Sequence, residues 1–172
     1  MYRLMVITDR RAARGALEDV IRRALADGAD AVQLRERDLE GRELTRLAEA
    51  LRRITNEAGA ALIVNHRVDV ALAVEADGVQ LGWRSLPPAD VRRIAGERLR
   101  IGVSCHTAED LAAARANNAD YAILGPVFPT PSKEGLVAPL LVEGFRRCAV
   151  GFPLPVIAVG GITPENAASV RA

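Results

Sequence analysis

Seven short apolar segments recur along the chain, and longer stretches of mixed polar and apolar residues separate them. Each segment is rich in Val, Ile and Leu and is too short to form a helix. Segments of this kind are typical of strands in a sheet that is covered on both faces. They are RLMVIT (3–8), DAVQLRE (30–36), ALIVN (61–65), DGVQL (77–81), RIGVS (100–104), DYAILG (120–125) and PVIAVG (155–160).

The intervening stretches have helical periodicity. Leu44, Leu47, Leu51 and Ile54, for example, fall on one face of a helix. A triplet Ala-Asp-Gly, or a close variant, recurs at 26–28, 76–78 and 119–121 and is interpreted as one helix-to-strand corner used repeatedly. The alternation of strand and helix predicts consecutive βα units.

Seven such units predict an α/β fold, a TIM (β/α)8-type barrel that lacks the eighth βα unit, as a single domain over residues 1–172. A doubly wound open sheet is the alternative. A barrel needs an eighth strand to close, and without it strands 1 and 7 have unpaired edges. A partner chain in a homo-oligomer is one way to cover those edges.

Composition excludes several functional classes. The net charge is +1 and aromatic residues make up 3% of the chain, so neither a nucleic-acid surface nor a basic membrane-binding face is expected. No apolar run is long enough to span a membrane, and the first residues do not resemble a signal peptide. We therefore expect a cytoplasmic protein in which Cys105 and Cys148 are reduced thiols.

Polar residues stand where the strands end, which in a βα barrel is the end that holds the active site. Gln33, Arg35 and Arg37 alternate and so point to one face of strand 2. Two guanidiniums and an amide there suit a phosphate or diphosphate. The alternative is that the two arginines only pair with Glu36 and Asp38 at the surface.

A second candidate for anion binding lies after strands 6 and 7. The loop PVFPTPSKEG (126–135) offers hydroxyls and a lysine, and Gly160 and Gly161 allow backbone N–H groups to approach a phosphate. The alternative is a proline-stiffened turn beside a tight glycine turn.

Only two histidines occur, His66 after strand 3 and His106 after strand 5. Histidine is the usual acid or base near neutral pH, so both are candidate catalytic residues, with His106 preferred. A lone histidine after a strand is also often a capping or surface residue. Two histidines without a third ligand do not define a zinc site.

Several motifs together resemble one known family. The segments VITD, VQLRERD, VNHRVDVALAVEADGVQLG, IGVSCHT, ADYAILGPVFPTPSKEG and VIAVGGIT occur in order and at matching spacing. They resemble the thiamin phosphate synthase family, which includes the TenI-type thiazole tautomerases. The resemblance covers essentially the whole chain and implies a TIM barrel in thiamin biosynthesis. Its synthases join a pyrimidine methyl diphosphate to a thiazole phosphate and release diphosphate.

The resemblance also implies roles for individual residues. Gln33, Arg35 and Arg37 would hold the pyrimidine diphosphate, although the family usually has Lys at position 37. Asn65 would contact the pyrimidine, and Ser104 would face the departing diphosphate. The thiazole phosphate or its carboxylate would be held by Thr130, Ser132, Lys133, Gly160 and Gly161.

The chain departs from the synthase pattern at three places. Two magnesium-binding Asp residues of the synthases are replaced, the first by His66 and the second within Gly82-Trp83-Arg84-Ser85. The usual His of the preceding strand is Gln80. TenI-type relatives also lack the carboxylates, have Gln at this position and need no metal. The histidine that such tautomerases use would fall at Pro126, so this chain lacks it as well.

Three hypotheses follow. The first, which is the preferred one, is a metal-independent thiazole tautomerase in which His106 or His66 moves the proton, with no cofactor. The second is a thiamin phosphate synthase, for which magnesium is the expected cofactor. The third is a non-catalytic relative that binds or senses thiazole and pyrimidine phosphates.

Overall fold

The computed structural model describes residues 2–131 and 135–171. Seven strands form one parallel sheet in chain order, β1 next to β2 and so on to β7. The strands are β1 Met5–Ile7, β2 Ala31–Leu34, β3 Ala61–Asn65, β4 Gly78–Leu81, β5 Arg100–Cys105, β6 Tyr121–Leu124 and β7 Val156–Ala158. All seven predicted strands are therefore confirmed.

Helices alternate with the strands. They are α1 Leu17–Ala26, α2 Gly41–Glu57, α3 Val68–Ala73, α4 Pro88–Ala95, α5 Ala108–Ala116, α6 Leu141–Ala149 and α7 Ala167–Val170, with a 3₁₀ turn at Gly96–Arg98. In the part of the chain that the structure describes, no helix is both long enough and apolar enough to cross a membrane.

The order of the strands decides between the two predicted architectures. A doubly wound sheet reverses its strand order part-way through, whereas here each strand pairs only with its neighbours in sequence. The fold is a curled, TIM-type half-barrel, as predicted. Residues 2–131 and 135–171 contain no eighth strand, and β1 and β7 do not pair with each other.

Side chains alternate between the two faces of the sheet. Those on the outer face, such as Val32, Leu62 and Ile101, join the helices in a buried apolar core. Those on the inner face include Gln33 and Gln80, which are buried and polar. The apolar half of each strand thus attaches the helices, and the other half is available to line the barrel interior.

Three aspartates at the starts of even-numbered strands tie the strand pairs together. Asp77 accepts the backbone N–H of Leu62, and Asp120 accepts that of Ile101. Asp30 accepts the N–H of Leu4 in the same way. The repeated corner predicted at 26–28 was therefore misplaced, because Asp27 caps the end of α1 and Asp30 occupies the equivalent position.

Candidate functional site

The inner-face residues at the carboxyl ends of β2 to β5 converge at one mouth. The register places Asn65 beside Gln80 and Gln80 beside Gly102. Arg35 continues the inner face of β2 beyond Gln33, and Thr8 fixes its backbone by accepting the Arg35 N–H at 2.9 Å. Most of the residues predicted for pyrimidine diphosphate binding thus lie at one end of the sheet.

Arg35 and Arg37 do not use the neighbouring carboxylates as ion-pair partners. Glu36 pairs with Arg10 at 3.1 Å, and Asp38 pairs with Arg10 and Arg11. Among the described residues, neither Arg35 nor Arg37 has a carboxylate within 4 Å. The surface-pairing alternative considered for these two arginines is therefore wrong. Burial and the charge of Arg37 lower the pKa of Arg35, although the charges of Asp9 and Glu36 oppose this.

His66 follows β3 directly at this mouth. Its backbone has φ +63°, a left-handed conformation that is uncommon for a residue with a side chain. The strand holds it there, since its N–H donates to the Gln80 carbonyl at 3.0 Å. The ring Nδ1 is hydrogen-bonded to Ser85 Oγ. Burial, followed by the charges of three arginines, lowers the pKa of His66; the arginines are Arg37, Arg35 and Arg84.

The turn after β4 supplies the third of those arginines. Ser85 closes it twice, because its N–H donates to the Gly82 carbonyl and its Oγ accepts the Gly82 N–H, both at 2.9 Å. Trp83 and Arg84 lie between these residues, and the Arg84 guanidinium stacks on the indole with its Cζ 4.5 Å from the ring centroid. Trp83 is 86% exposed. The turn therefore presents a cation and an aromatic ring beside His66.

Ser104 is oriented from the barrel interior. Gln80 is buried, and its Nε2 donates to Ser104 Oγ at 3.1 Å. A hydroxyl that accepts this hydrogen bond keeps its own hydrogen for an anion in the mouth. The Gln80 Oε1 atom is buried without a hydrogen-bond partner, and so is Tyr121 Oη.

His106 is bound to the protein backbone. Its ring Nδ1 is hydrogen-bonded to the Gly125 carbonyl, and its N–H donates to the Asp110 carboxylate at 2.7 Å. A carbonyl oxygen can only accept, so Nδ1 carries a hydrogen. His106 follows β5, whereas His66 follows β3, and the two rings have different partners.

The loops after β6 and β7 pack closely through the two glycines. A Cβ on Gly160 would lie 2.5 Å from Pro126 Cβ, and one on Gly161 would lie 2.5 Å from the Pro129 carbonyl oxygen. Both glycines are therefore required by packing, whatever else they bind. Thr130 belongs to the same loop, whereas Ser132 and Lys133, also predicted to bind the thiazole phosphate, lie outside the described residues.

A cavity of about 300 Å³ lies at the opposite end of the sheet. It extends between the edge strands β1 and β7. Its lining residues are Tyr2, Arg100, Asp120, Tyr121, Pro155 and Ile157. Barrel enzymes carry their chemistry at the carboxyl ends of the strands, so this cavity is attributed to the open seam of the sheet.

Comparison with known proteins agrees with this arrangement. A family model described as "Thiamine monophosphate synthase" matches residues 4–172. The thiamine-phosphate synthase of Moorella thermoacetica is 42% identical over 98% of this chain and 80% of its own length. A putative thiamine-phosphate synthase of Geobacter sulfurreducens is 46% identical over 96% of the chain and 78% of its own length. The chain belongs to the thiamine monophosphate synthase family.

Solved structures support the same conclusion. The thiamine phosphate pyrophosphorylase from Pyrococcus furiosus superposes with a TM-score of 0.88 at 40% identity, covering 97% of this chain and 79% of that one. The 2-keto-3-deoxy-6-phospho-gluconate aldolase of Zymomonas mobilis has a TM-score of 0.63 at 17% identity over 97% of this chain and 75% of its own. The second likeness concerns the fold alone.

The residues of this family member do not fit a magnesium ion at the mouth. Magnesium takes oxygen ligands, mainly carboxylates and water. The two positions that the family resemblance assigns to carboxylates hold an imidazole and a hydroxyl, His66 and Ser85, which bond to each other. The charges that act on His66 are all positive. The described residues contain no group of three or more His, Cys, Asp or Glu that could hold a metal.

Sequence reasoning missed two partnerships in this site, Ser85 with His66 and Gln80 with Ser104. It named Arg84 as a possible substitute for the metal charge but could not give its position. Gln80 could have been found, since the polar residue two positions before Gly82 faces the interior with it. The position of Arg84 depends on the turn that Ser85 closes, and no periodicity indicates that.

Proposed function

We propose that this chain catalyses the synthase reaction of its family, the joining of a pyrimidine methyl diphosphate to a thiazole phosphate with release of diphosphate. In that reaction the thiazole nitrogen forms a bond to the pyrimidine methylene carbon. The carbon–oxygen bond to diphosphate breaks, and the diphosphate leaves with the electron pair. The relatives at 42% and 46% identity carry the synthase name or its putative form.

The observation that carries the proposal is the pair of arginines at the mouth, Arg35 and Arg37, which lack carboxylate partners. A guanidinium makes two parallel hydrogen bonds to a phosphate and holds its charge at any physiological pH. Cations placed where negative charge develops on a leaving group stabilise the transition state. Ser104, oriented by Gln80, adds a hydroxyl hydrogen at the same mouth.

The remaining assignments in the proposed reaction follow the family resemblance. Asn65 contacts the pyrimidine, consistent with its place on the inner face of β3 beside Gln80. Thr130, Ser132, Lys133, Gly160 and Gly161 hold the thiazole phosphate.

The thiazole tautomerase was the preferred hypothesis from the sequence, and the comparisons favour the synthase instead. The two histidines remain predictions for proton transfer. His106 binds the Gly125 carbonyl through Nδ1, and burial with three arginine charges lowers the pKa of His66. Neither is needed for the carbon–nitrogen bond formation described above, which requires stabilisation of a leaving anion.

The test is a turnover assay with both substrates, measuring thiamin phosphate by chromatography and diphosphate by a coupled assay. Wild-type protein is expected to form both products in equal amounts. Arg35→Gln is expected to lower kcat about 10²–10³-fold, as removal of one electrostatic stabiliser does. Arg46→Gln, an exposed arginine on α2, is the matched control and should be unchanged.

Absence of thiamin phosphate with wild-type protein would refute the proposal. Isomerisation of a thiazole carboxylate phosphate in the same experiment would restore the tautomerase hypothesis. Binding of either phosphate without turnover would support the non-catalytic alternative.

A further inference from the structure

One cluster at the mouth extends beyond the family resemblance, which assigns Arg35 and Arg37 to the diphosphate and gives no role to Arg84. Arg35, Arg37 and Arg84 come from two different strand ends, act electrostatically on the same imidazole, and have no carboxylate within 4 Å among the described residues. Their shared neighbour is the hydrogen-bonded pair of His66 and Ser85. We propose that these five residues form a diphosphate site that works without a divalent cation, with Arg84 supplying positive charge that a metal would otherwise supply.

The identity of the ligand as diphosphate rests on the proposed function. The independence from metal rests on the side chains themselves.

Like charges held near one another are unfavourable unless an anion joins them. Three guanidiniums that act on one half-buried imidazole are therefore arranged for an anionic ligand. The same arrangement repels a divalent cation from the position of His66. The negative charges that act on Arg35 come from Asp9 and Glu36, and Glu36 is already paired with Arg10.

The His66–Ser85 pair also makes a poor set of metal ligands. Ser85 Oγ accepts the Gly82 N–H, so directing its own hydrogen to His66 Nδ1 satisfies both groups. In that arrangement Nε2 carries the imidazole hydrogen and is a donor. A metal would require a lone pair on that atom, whereas an anion requires the hydrogen.

Trp83 gives Arg84 a fixed place. The guanidinium lies over the indole at 4.5 Å, and a side chain ordered in advance loses less freedom when it binds. The indole is also the only tryptophan of the chain and is highly exposed. Its fluorescence is therefore a direct reporter of a ligand that engages Arg84.

The experiment measures binding of inorganic diphosphate to the full chain, by calorimetry and by Trp83 fluorescence, in EDTA and again with magnesium. Binding in EDTA is expected, with a dissociation constant that magnesium does not improve. Arg84→Gln should weaken binding in EDTA about tenfold or more, and Arg46→Gln should not change it. Arg84 lies in an exposed turn, so its replacement leaves the core intact.

A double variant, His66→Asp with Ser85→Asp, tests the same idea in reverse. It should bind diphosphate weakly in EDTA and regain affinity with magnesium, because two carboxylates then face the mouth. Either of two results for the wild type would overturn the proposal: no binding in EDTA, or affinity that magnesium raises more than about tenfold. An Arg84→Gln variant with wild-type affinity would do the same.

Failure of this inference is distinguishable from failure of the proposed function. Metal-free diphosphate binding without thiamin phosphate formation would refute only the synthase assignment. Turnover that depends on magnesium would refute only the metal-free site.

Discussion

Gly161 allows a sharp test of how the loops after β6 and β7 pack at the site. Its φ is +62°, and Gly59, at the end of α2, has almost the same value of +63°. A Cβ at Gly161 would lie 2.5 Å from the Pro129 carbonyl oxygen and 2.7 Å from Phe128 Cβ, whereas one at Gly59 would meet nothing within 4 Å. The two glycines therefore share a backbone conformation and differ in their surroundings.

Replacing each glycine by alanine separates the two costs. The left-handed backbone conformation destabilises a residue with a side chain by about 1–2 kcal/mol, and this applies to both variants. An extra methyl group in a packed site destabilises the protein by about 1–3 kcal/mol more, and this applies only to Gly161→Ala. The free energy of unfolding should fall by about 1–2 kcal/mol for Gly59→Ala and by about 2–5 kcal/mol for Gly161→Ala.

Urea unfolding followed by circular dichroism measures both values, with equal slopes required for a direct comparison. Effects on the unfolded chain are alike for the two substitutions and cancel in the difference. If the two variants lose the same stability within about 0.5 kcal/mol, the close approach of the β7 turn to Pro129 is wrong. The assignment of Gly161 to a packed anion-binding corner would then lose its structural basis.

Three further outcomes are expected. Burial and the three arginines lower the pKa of His66, so its ring should titrate below 6.5 in NMR spectra. The unfolded chain takes up the proton first, so stability is lost as the pH falls from about 6.5 through the lowered pKa of the folded protein. Burial opposes ionisation of Asp30, yet the N–H groups of Arg3 and Leu4 outweigh it and lower the pKa. The stability that results is present above the ordinary pKa of an aspartate and is lost as pH falls through the lowered value. In the Asp30→Asn variant the urea midpoint of unfolding should therefore decrease less steeply at acid pH than in the wild type. Gln80→Leu removes one hydrogen bond to Ser104, which destabilises the fold, and a buried unpaired oxygen, which stabilises it. The free energy of unfolding should therefore change by less than about 1 kcal/mol, while kcat falls.

The fold was predictable because its signals are local. Each strand is an apolar run with helices on one face, and the outer positions Val32, Leu62 and Ile101 are fully buried as such runs require. The parallel order followed from the alternation of strands and helices. The misplaced corner at Asp27 shows the limit, because the aspartate that accepts a strand N–H is identified by pairing across the sheet.

The site was predictable only in part. Residues that end a strand, such as Arg35 and Ser104, could be assigned to the mouth from the fold alone. The ion pairs of the site could not be predicted in this way. Glu36 is adjacent to Arg35 in sequence and yet pairs with Arg10, which follows a different strand. An ion pair depends on the distance between two side chains in the folded protein, whereas the sequence shows only their separation along the chain.

The contacts at the mouth indicate whether the two carboxylates were replaced by a different binding site or were simply lost. A site that had merely lost its carboxylates would be expected to leave polar groups without partners, at a cost in stability. Here His66 and Ser85 satisfy each other, and Arg84 rests on Trp83. Three arginines act on His66 without a carboxylate within 4 Å among the described residues, and like charges near one another are not favoured by stability alone. An arrangement in which His66 and Ser85 bond to each other while the three arginines have no carboxylate partner among the described residues is best explained by an anionic ligand that completes it.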